Sequence, residues 1–359
     1  MKQYRFSLVF TAICLCLAGY WGHHSGFGLW SALWVAFVLS ILEVSLSFDN
    51  AVVNASVLKT MDPFWQKMFL TVGIIIAVFG MRLVFPIVIV AVATGLGTME
   101  VINLALDDSE RYGEVLASAY PMIAAFGGAF LLMVFFDFIF DEKRSVHWLG
   151  VFERRLAALG KLQSLGIVLA MTVAVTTSFL ATEALQFKVL LAGVAGIMLF
   201  VVISSLDGLF KMATGTSEVA NTNINTSTST TGIPMSVARN GLVGFLYLEV
   251  LDASFSFDGV IGAFAITRDV VIIMLGLAIG AMFVRSITID LVRRDTLGEY
   301  IYIEHGAMYA IGALAIIMFV GTRMHVPEVL TGCIGAMFIG AAFCSSLRHR
   351  RRQVGAKTS

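Results

Sequence analysis

Charge is in short supply in this sequence. Only 13% of its 359 residues are Asp, Glu, Lys or Arg, while 58% are apolar, against about a quarter charged in an ordinary soluble domain. Too few ionic groups remain to clothe a globular surface, and the mean hydropathy of +0.88 excludes water as the main solvent. The few charges also cancel, 24 basic against 24 acidic, so no net field points to nucleic acid or to a strongly acidic partner. Cysteine is sparse as well. Cys14, Cys16, Cys333 and Cys344 lie in apolar stretches, with no C-x-x-C pair and no histidine at ligand spacing, which argues for packing residues and against a zinc site. No H-E-x-x-H, G-x-S-x-G or Walker-type signature occurs, so an enzyme is not expected.

Long apolar runs are what the chain does have. A hydrocarbon core about 30 Å thick takes roughly 20 residues of helix. The stretches that meet or approach this length are Phe6 to Gly22, Trp30 to Leu58, Met68 to Leu96, Ala117 to Phe140, Ser164 to Thr182, Val189 to Leu206, Gly241 to Ile266, Val270 to Leu291, Ile303 to Gly321 and Val329 to Leu347. They predict an all-α, polytopic transmembrane bundle of about ten spans, with a lipid bilayer as its first partner. Basic residues test that count, because they concentrate in cytoplasmic loops. Lys2 and Arg5, Lys59 and Lys67, the cluster from Lys143 to Lys161, Lys211 and Arg239, Arg293 and Arg294, and Arg348 to Arg352 all fall on one side; the other keeps Arg111, Lys188, Arg268 and Arg323. Both termini are therefore expected in the cytoplasm. The first run continues through Tyr20 and Trp21 with no small-x-small cleavage site, so it reads as a retained helix.

The chain divides into a first half, 1–140, with a motif helix at 30–58, and a second half, 164–347, with a motif helix at 241–266. Between them, 141–163 places Leu149, Phe152, Leu156 and Leu159 on one side and basic residues on the other, the pattern of an amphipathic helix on the inner leaflet. A polar loop at 207–240 is rich in Ser, Thr and Asn and reads as a tether with little to bury. A basic tail, 348–359, ends the chain.

One internal repeat stands out. Glu43-Val-Ser-Leu-Ser-Phe-Asp49-Asn50 recurs as Asp252-Ala-Ser-Phe-Ser-Phe-Asp258-Gly259, and in the spans that follow Gly73 matches Gly276 and Arg82 matches Arg285. An odd number of crossings separates the motif helices, so they run in opposite directions, the arrangement of an inverted-topology repeat with a site near the midplane.

The same helices carry charge that lipid penalises by at least about 2.5 to 3.5 kcal/mol per group. Glu43, Asp49, Asp137, Glu249, Asp252, Asp258 and Asp290 oppose only Arg82 and Arg285, an acidic excess that favours a cation as partner. On a regular helix Glu43, Ser47, Asn50 and Asn54 share one stripe while Asp49 falls nearly opposite; Asp252 and Ser256 are likewise opposed to Asp258. One cavity could be lined by both stripes only if the helices are interrupted near Asp49-Asn50 and Asp258-Gly259, where Asn and Gly tolerate unusual backbone angles. Carboxylate, amide, hydroxyl and carbonyl oxygens suit Mg²⁺, Ca²⁺ and Mn²⁺ better than zinc or copper. His305, the one possible nitrogen ligand, reads as a polar boundary residue.

Glu43-x-x-Leu46-Ser47-x-Asp49-Asn50 and Asp252-x-x-Phe255-Ser256-x-Asp258 resemble the two signature segments of TerC-like membrane proteins, within the LysE-type transporter superfamily. The resemblance implies export of manganese or a related divalent cation across a bacterial inner membrane by alternating access, with a link to tellurite resistance. It implies Glu43, Asp49, Asn50, Asp252, Ser256 and Asp258 as metal-site residues. Ser47, Asn54, Arg82, Asp137, Glu249, Arg285 and Asp290 are expected in secondary or counter-ion roles. The competing expectation is a membrane scaffold or accessory subunit that moves nothing; a membrane-embedded hydrolase ranks below it.

Overall fold

A computed structural model describes residues 4–59, 61–142, 144–160, 162, 164–213, 241–293, 300–324 and 326–358. Most of the polar loop and part of the linker thus lie outside the described residues. Among the described residues all regular structure is helical: α1 (Tyr4–His24), α2 (Leu29–Leu46), α3 (Phe48–Leu58), α4 (Pro63–Met68), α5 (Phe85–Thr94), α6 (Thr98–Asp107), α7 (Ser109–Ile139), α8 (Val151–Leu159), α9 (Leu165–Leu180), α10 (Glu183–Ala213), α11 (Gly241–Ile266), α12 (Val270–Arg293), α13 (Ile303–Gly321) and α14 (Glu328–Thr358). Eight helical segments of the described chain are long and apolar enough to cross a membrane. Two further expected spans are present as helices of a different character: α9 has 16 residues, and α11 carries Glu249, Asp252 and Asp258 within its 26.

α7 is the axis of the bundle. Its Phe130, Leu131 and Phe138 are fully buried and pack with Phe200 of α10, Leu248 and Leu251 of α11, and Ile311 of α13. A second cluster joins Leu39 of α2, Tyr112 and Leu116 of α7, Val260 of α11 and Leu277 of α12. Peripheral helices turn Trp34, Phe37, Ile41, Val92, Phe187 and Ile316 outward, as expected where hydrocarbon rather than water is the neighbour.

Between α4 and α5 the chain leaves the α register for two π-helical stretches, Phe69–Gly73 and Ile76–Val84. Pro86 supplies a cause: it has no N–H to return to the Arg82 carbonyl, and its ring crowds that position. The Phe85 N–H bonds the Gly80 carbonyl, five residues back.

The linker carries the helix α8. α8 buries Glu153 and Ala157, while Leu149, Phe152 and Leu159 remain exposed. The reason is specific bonding: Glu153 accepts from the Tyr309 hydroxyl at 2.9 Å and from the Trp148 N–H at 2.8 Å. His305, expected as a polar boundary residue, lies in the first turn of α13 and is buried. It is 1% exposed, and its Nε2 donates to the Val146 carbonyl at 3.1 Å. Nearby, Arg144 lies over the Phe138 ring and donates to the Phe138 carbonyl; burial pushes its guanidinium below the usual range, opposed by Glu304 and Glu153.

Candidate functional site

Ser47 divides the first motif helix. Its φ of −98° and ψ of 14° end α2, with its N–H still bonded to the Glu43 carbonyl, and α3 restarts at Phe48. The break thus lies two residues before the expected one, and it puts Asp49 and Asn50 in the first turn of α3. That position suits a carboxylate, because helix N-termini leave N–H groups without intrahelical partners; Asp49 Oδ1 takes the Asn50 N–H at 2.9 Å.

The matching interruption at Asp258-Gly259 does not form. α11 is unbroken from Gly241 to Ile266, and Gly259 serves close approach instead. A Cβ there would stand 2.8 Å from Glu43 Oε2, so the missing side chain makes room for a carboxylate rather than for a bend.

Four polar contacts organise the surroundings of the motif helices. Glu43 Oε1 pairs with Arg82 Nη2, the two side chains being 2% and 5% exposed, and also accepts from Ser47 Oγ at 3.1 Å. Arg82 Nη1 donates to the Ala77 carbonyl at 2.5 Å. Asn50 Nδ2 donates to Asp252 Oδ1 at 2.6 Å, joining α3 to α11. Glu43, Arg82, Asn50 and Asp252, expected together from the sequence, are indeed brought together.

Two cavities meet at this cluster, and Ser47 lines both. The first has Asn50, Asn54, Arg82, Asp252, Arg285 and Thr288 among its polar walls. The second is lined by Glu43, Asp49 and Thr331 with Gly259 and apolar side chains, and among the described residues no basic side chain is on its wall. Asp49 Oδ2 faces α14, 3.2 Å from where a Cβ on Gly335 would stand. Of the carboxylates expected to converge, Asp252 lines the first cavity and Glu43 and Asp49 the second. Among the described residues no group of three or more His, Cys, Asp and Glu is placed to hold a metal ion.

Three buried acceptors have no hydrogen-bond partner among the described residues: Asn50 Oδ1 and Asn54 Oδ1 on the first cavity's wall, and Glu249 Oε1 off both walls. Glu249 lies one turn before Asp252, with Oε1 2.6 Å from the Cβ position of Gly73, itself on the first cavity's wall. Arg82 Nε and Arg285 Nε are in the same state. Buried polar atoms are seldom left so, and ordered water is one way to satisfy the guanidinium nitrogens.

The remaining expected residues are dispersed. Ser256 is buried with its Oγ unpartnered, off both cavity walls. Asp137, exposed near the end of α7, and Asp290 of α12 line neither cavity. The Asp258 side chain lies outside the described residues. Thr288 and Thr331 were missed because single threonines in apolar helices carry no pattern.

A family model described as "Protein of unknown function (DUF475)" matches residues 48–353. No curated protein and no solved structure matches the chain.

Proposed function

The chain belongs to the DUF475 family, and from that premise we propose that it is a membrane transporter for a divalent metal cation, with manganese as the ion to test first. The observation that carries the reading is the second cavity. Glu43 and Asp49 line it together with Ser47 and Thr331, in a bundle of apolar helices. Arg82 answers the charge of Glu43, but Asp49 has no ion-pair partner among the described residues; a carboxylate so placed in lipid favours a cation, and carboxylate and hydroxyl oxygens are the ligands that Mn²⁺, Mg²⁺ and Ca²⁺ use. The unpartnered oxygens of Asn50 and Asn54 support an approach from the first cavity.

Alternating access between inverted halves of a ten-span bundle belongs to the same proposal. It is supported by reciprocal packing: Gly73, after the first motif helix, abuts Glu249 of the second, while Gly276 and Gly280, after the second, abut Ala36, Leu39 and Glu43 of the first. An inner-membrane location with both termini cytoplasmic belongs to the same proposal, and the placement of basic residues supports the orientation.

A second reading, a scaffold held by buried polar clasps, is favoured by the Glu43–Arg82 pair and the Asn50–Asp252 bond. The deciding experiment is metal flux into vesicles containing the purified protein, across Mn²⁺, Mg²⁺, Ca²⁺, Co²⁺ and Zn²⁺. Saturable flux of at least one ion, abolished by Asp49→Asn, supports the transporter; absence of flux for every ion favours the scaffold.

A further inference from the structure

The two cavities share Ser47, and the partition between them is the Glu43–Arg82 ion pair. Arg82 lines the first chamber and Glu43 the second. Glu43 Oε1 is taken by Arg82 and Ser47, while Oε2 faces Gly259 on the far side. A cation entering the first chamber meets Asp252, but at the partition Glu43 already holds a positive charge. Removing one member of a buried pair is strongly unfavourable unless another charge replaces it. Passage therefore needs an exchange: the incoming ion takes Glu43 as the guanidinium leaves.

Arg82 has both a destination and a means of leaving. Asp252 lines the same chamber as Arg82 and is within its electrostatic reach. Arg82 itself rides on the π-helical stretch Ile76–Val84. Such stretches are uncommon and concentrate at functional positions. Returning this one to the α register moves a residue by one position, a rotation of about 100° around the axis. Nε makes no hydrogen bond to a described residue, and Nη1 is held by the Ala77 carbonyl five residues back, so the present grip depends on the π register.

Resting on the proposed cation transport, we infer that Arg82 is a tethered internal cation that closes the partition by occupying Glu43, and that a π-to-α shift of its helix hands Glu43 to the transported ion. Arg82 is then a positioning residue, competing with substrate for one carboxylate.

The test uses the full chain in lipid nanodiscs with Mn²⁺ alone as probe. Arg82→Gln frees Glu43, so equilibrium Mn²⁺ binding should tighten by at least about tenfold while vesicle flux falls, because the bound ion is not displaced. Glu43→Gln with Arg82→Gln should return affinity to the wild-type value or weaker. Unchanged or weaker binding in Arg82→Gln overturns the inference. The unsubstituted protein gives a check that needs no variant to fold: Mn²⁺ should alter amide hydrogen exchange over residues 69–84, and an unaltered segment at saturating Mn²⁺ also overturns it. If the unsubstituted protein neither binds nor moves Mn²⁺, the manganese reading above fails, and this inference with it.

Discussion

Asn50 and Asp252, 202 positions apart in sequence, are 2.6 Å apart in space, amide to carboxylate. That bond fixes one motif helix against the other and leaves Asn50 Oδ1 without a partner among the described residues, so the amide orients a carboxylate while offering an oxygen of its own.

Asp252→Asn keeps an acceptor for Asn50 and removes only the charge. Metal flux in reconstituted vesicles should fall by about 10- to 100-fold, with little change in thermal stability. Wild-type flux would show that the charge at 252 is not part of the path.

Glu43→Gln strands the Arg82 guanidinium in a buried site. The expected loss is about 3 to 5 kcal/mol, read as a lowered unfolding midpoint, and Arg82→Gln on top of it should recover most of that loss. A double variant no more stable than Glu43→Gln alone would mean that the pair is not the coupled unit the geometry indicates.

Two glycines should answer the same substitution in opposite ways. A Cβ at Gly276 would meet Leu39 Cβ at 2.7 Å and the Ala36 carbonyl at 3.0 Å, whereas at Gly340 nothing lies within 4 Å. Gly276→Ala should cost about 1 to 3 kcal/mol by forcing α2 and α12 apart, while Gly340→Ala should be neutral or stabilise by up to about 1 kcal/mol. Melting of the two purified variants side by side checks both.

Tyr309→Phe removes the hydroxyl that Glu153 accepts. A hydrogen bond to a charged, buried group is worth about 1.5 to 3 kcal/mol, so α8 should loosen from α13 and the linker should be cut faster by limited proteolysis, with metal binding at the distant cavities unchanged.

Replacing all four cysteines by alanine should leave flux intact, because none lies on either cavity wall and Cys16, Cys333 and Cys344 are exposed on the bundle. A loss of Mn²⁺ flux in that variant would point to a softer ligand set than oxygen.

The membrane bundle could be read from the sequence because spans are written in composition: Ile303–Gly321 and Gly241–Ile266 form helices over the expected bounds. The polar cluster was half readable. Charge counting in apolar helices finds Glu43, Arg82 and Asp252, but helix geometry alone places Asp49 and Asn50 only on opposite stripes, and the actual break depends on Ser47, whose backbone angles no local pattern announces. The repeat misled at Gly259, where equivalence in sequence suggested equivalence in backbone; its neighbour Glu43 comes from the other half, a contact invisible along the chain. The same blindness applies to Glu153, whose buried position follows from Tyr309 and not from the amphipathic pattern around it.

The span of the Asn50–Asp252 bond also bears on how the protein is made. Ribosomes add about 5 to 20 residues per second, so Arg82 follows Glu43 out of the exit tunnel within seconds, while Asn50 waits on the order of 10 to 40 s for Asp252. During that interval α3 sits beside the translocon with its amide and carboxylate uncovered. Cells producing this chain should depend on whatever holds unfinished helices at the insertion site, and a nascent chain halted before residue 241 should be a ready target for membrane proteolysis.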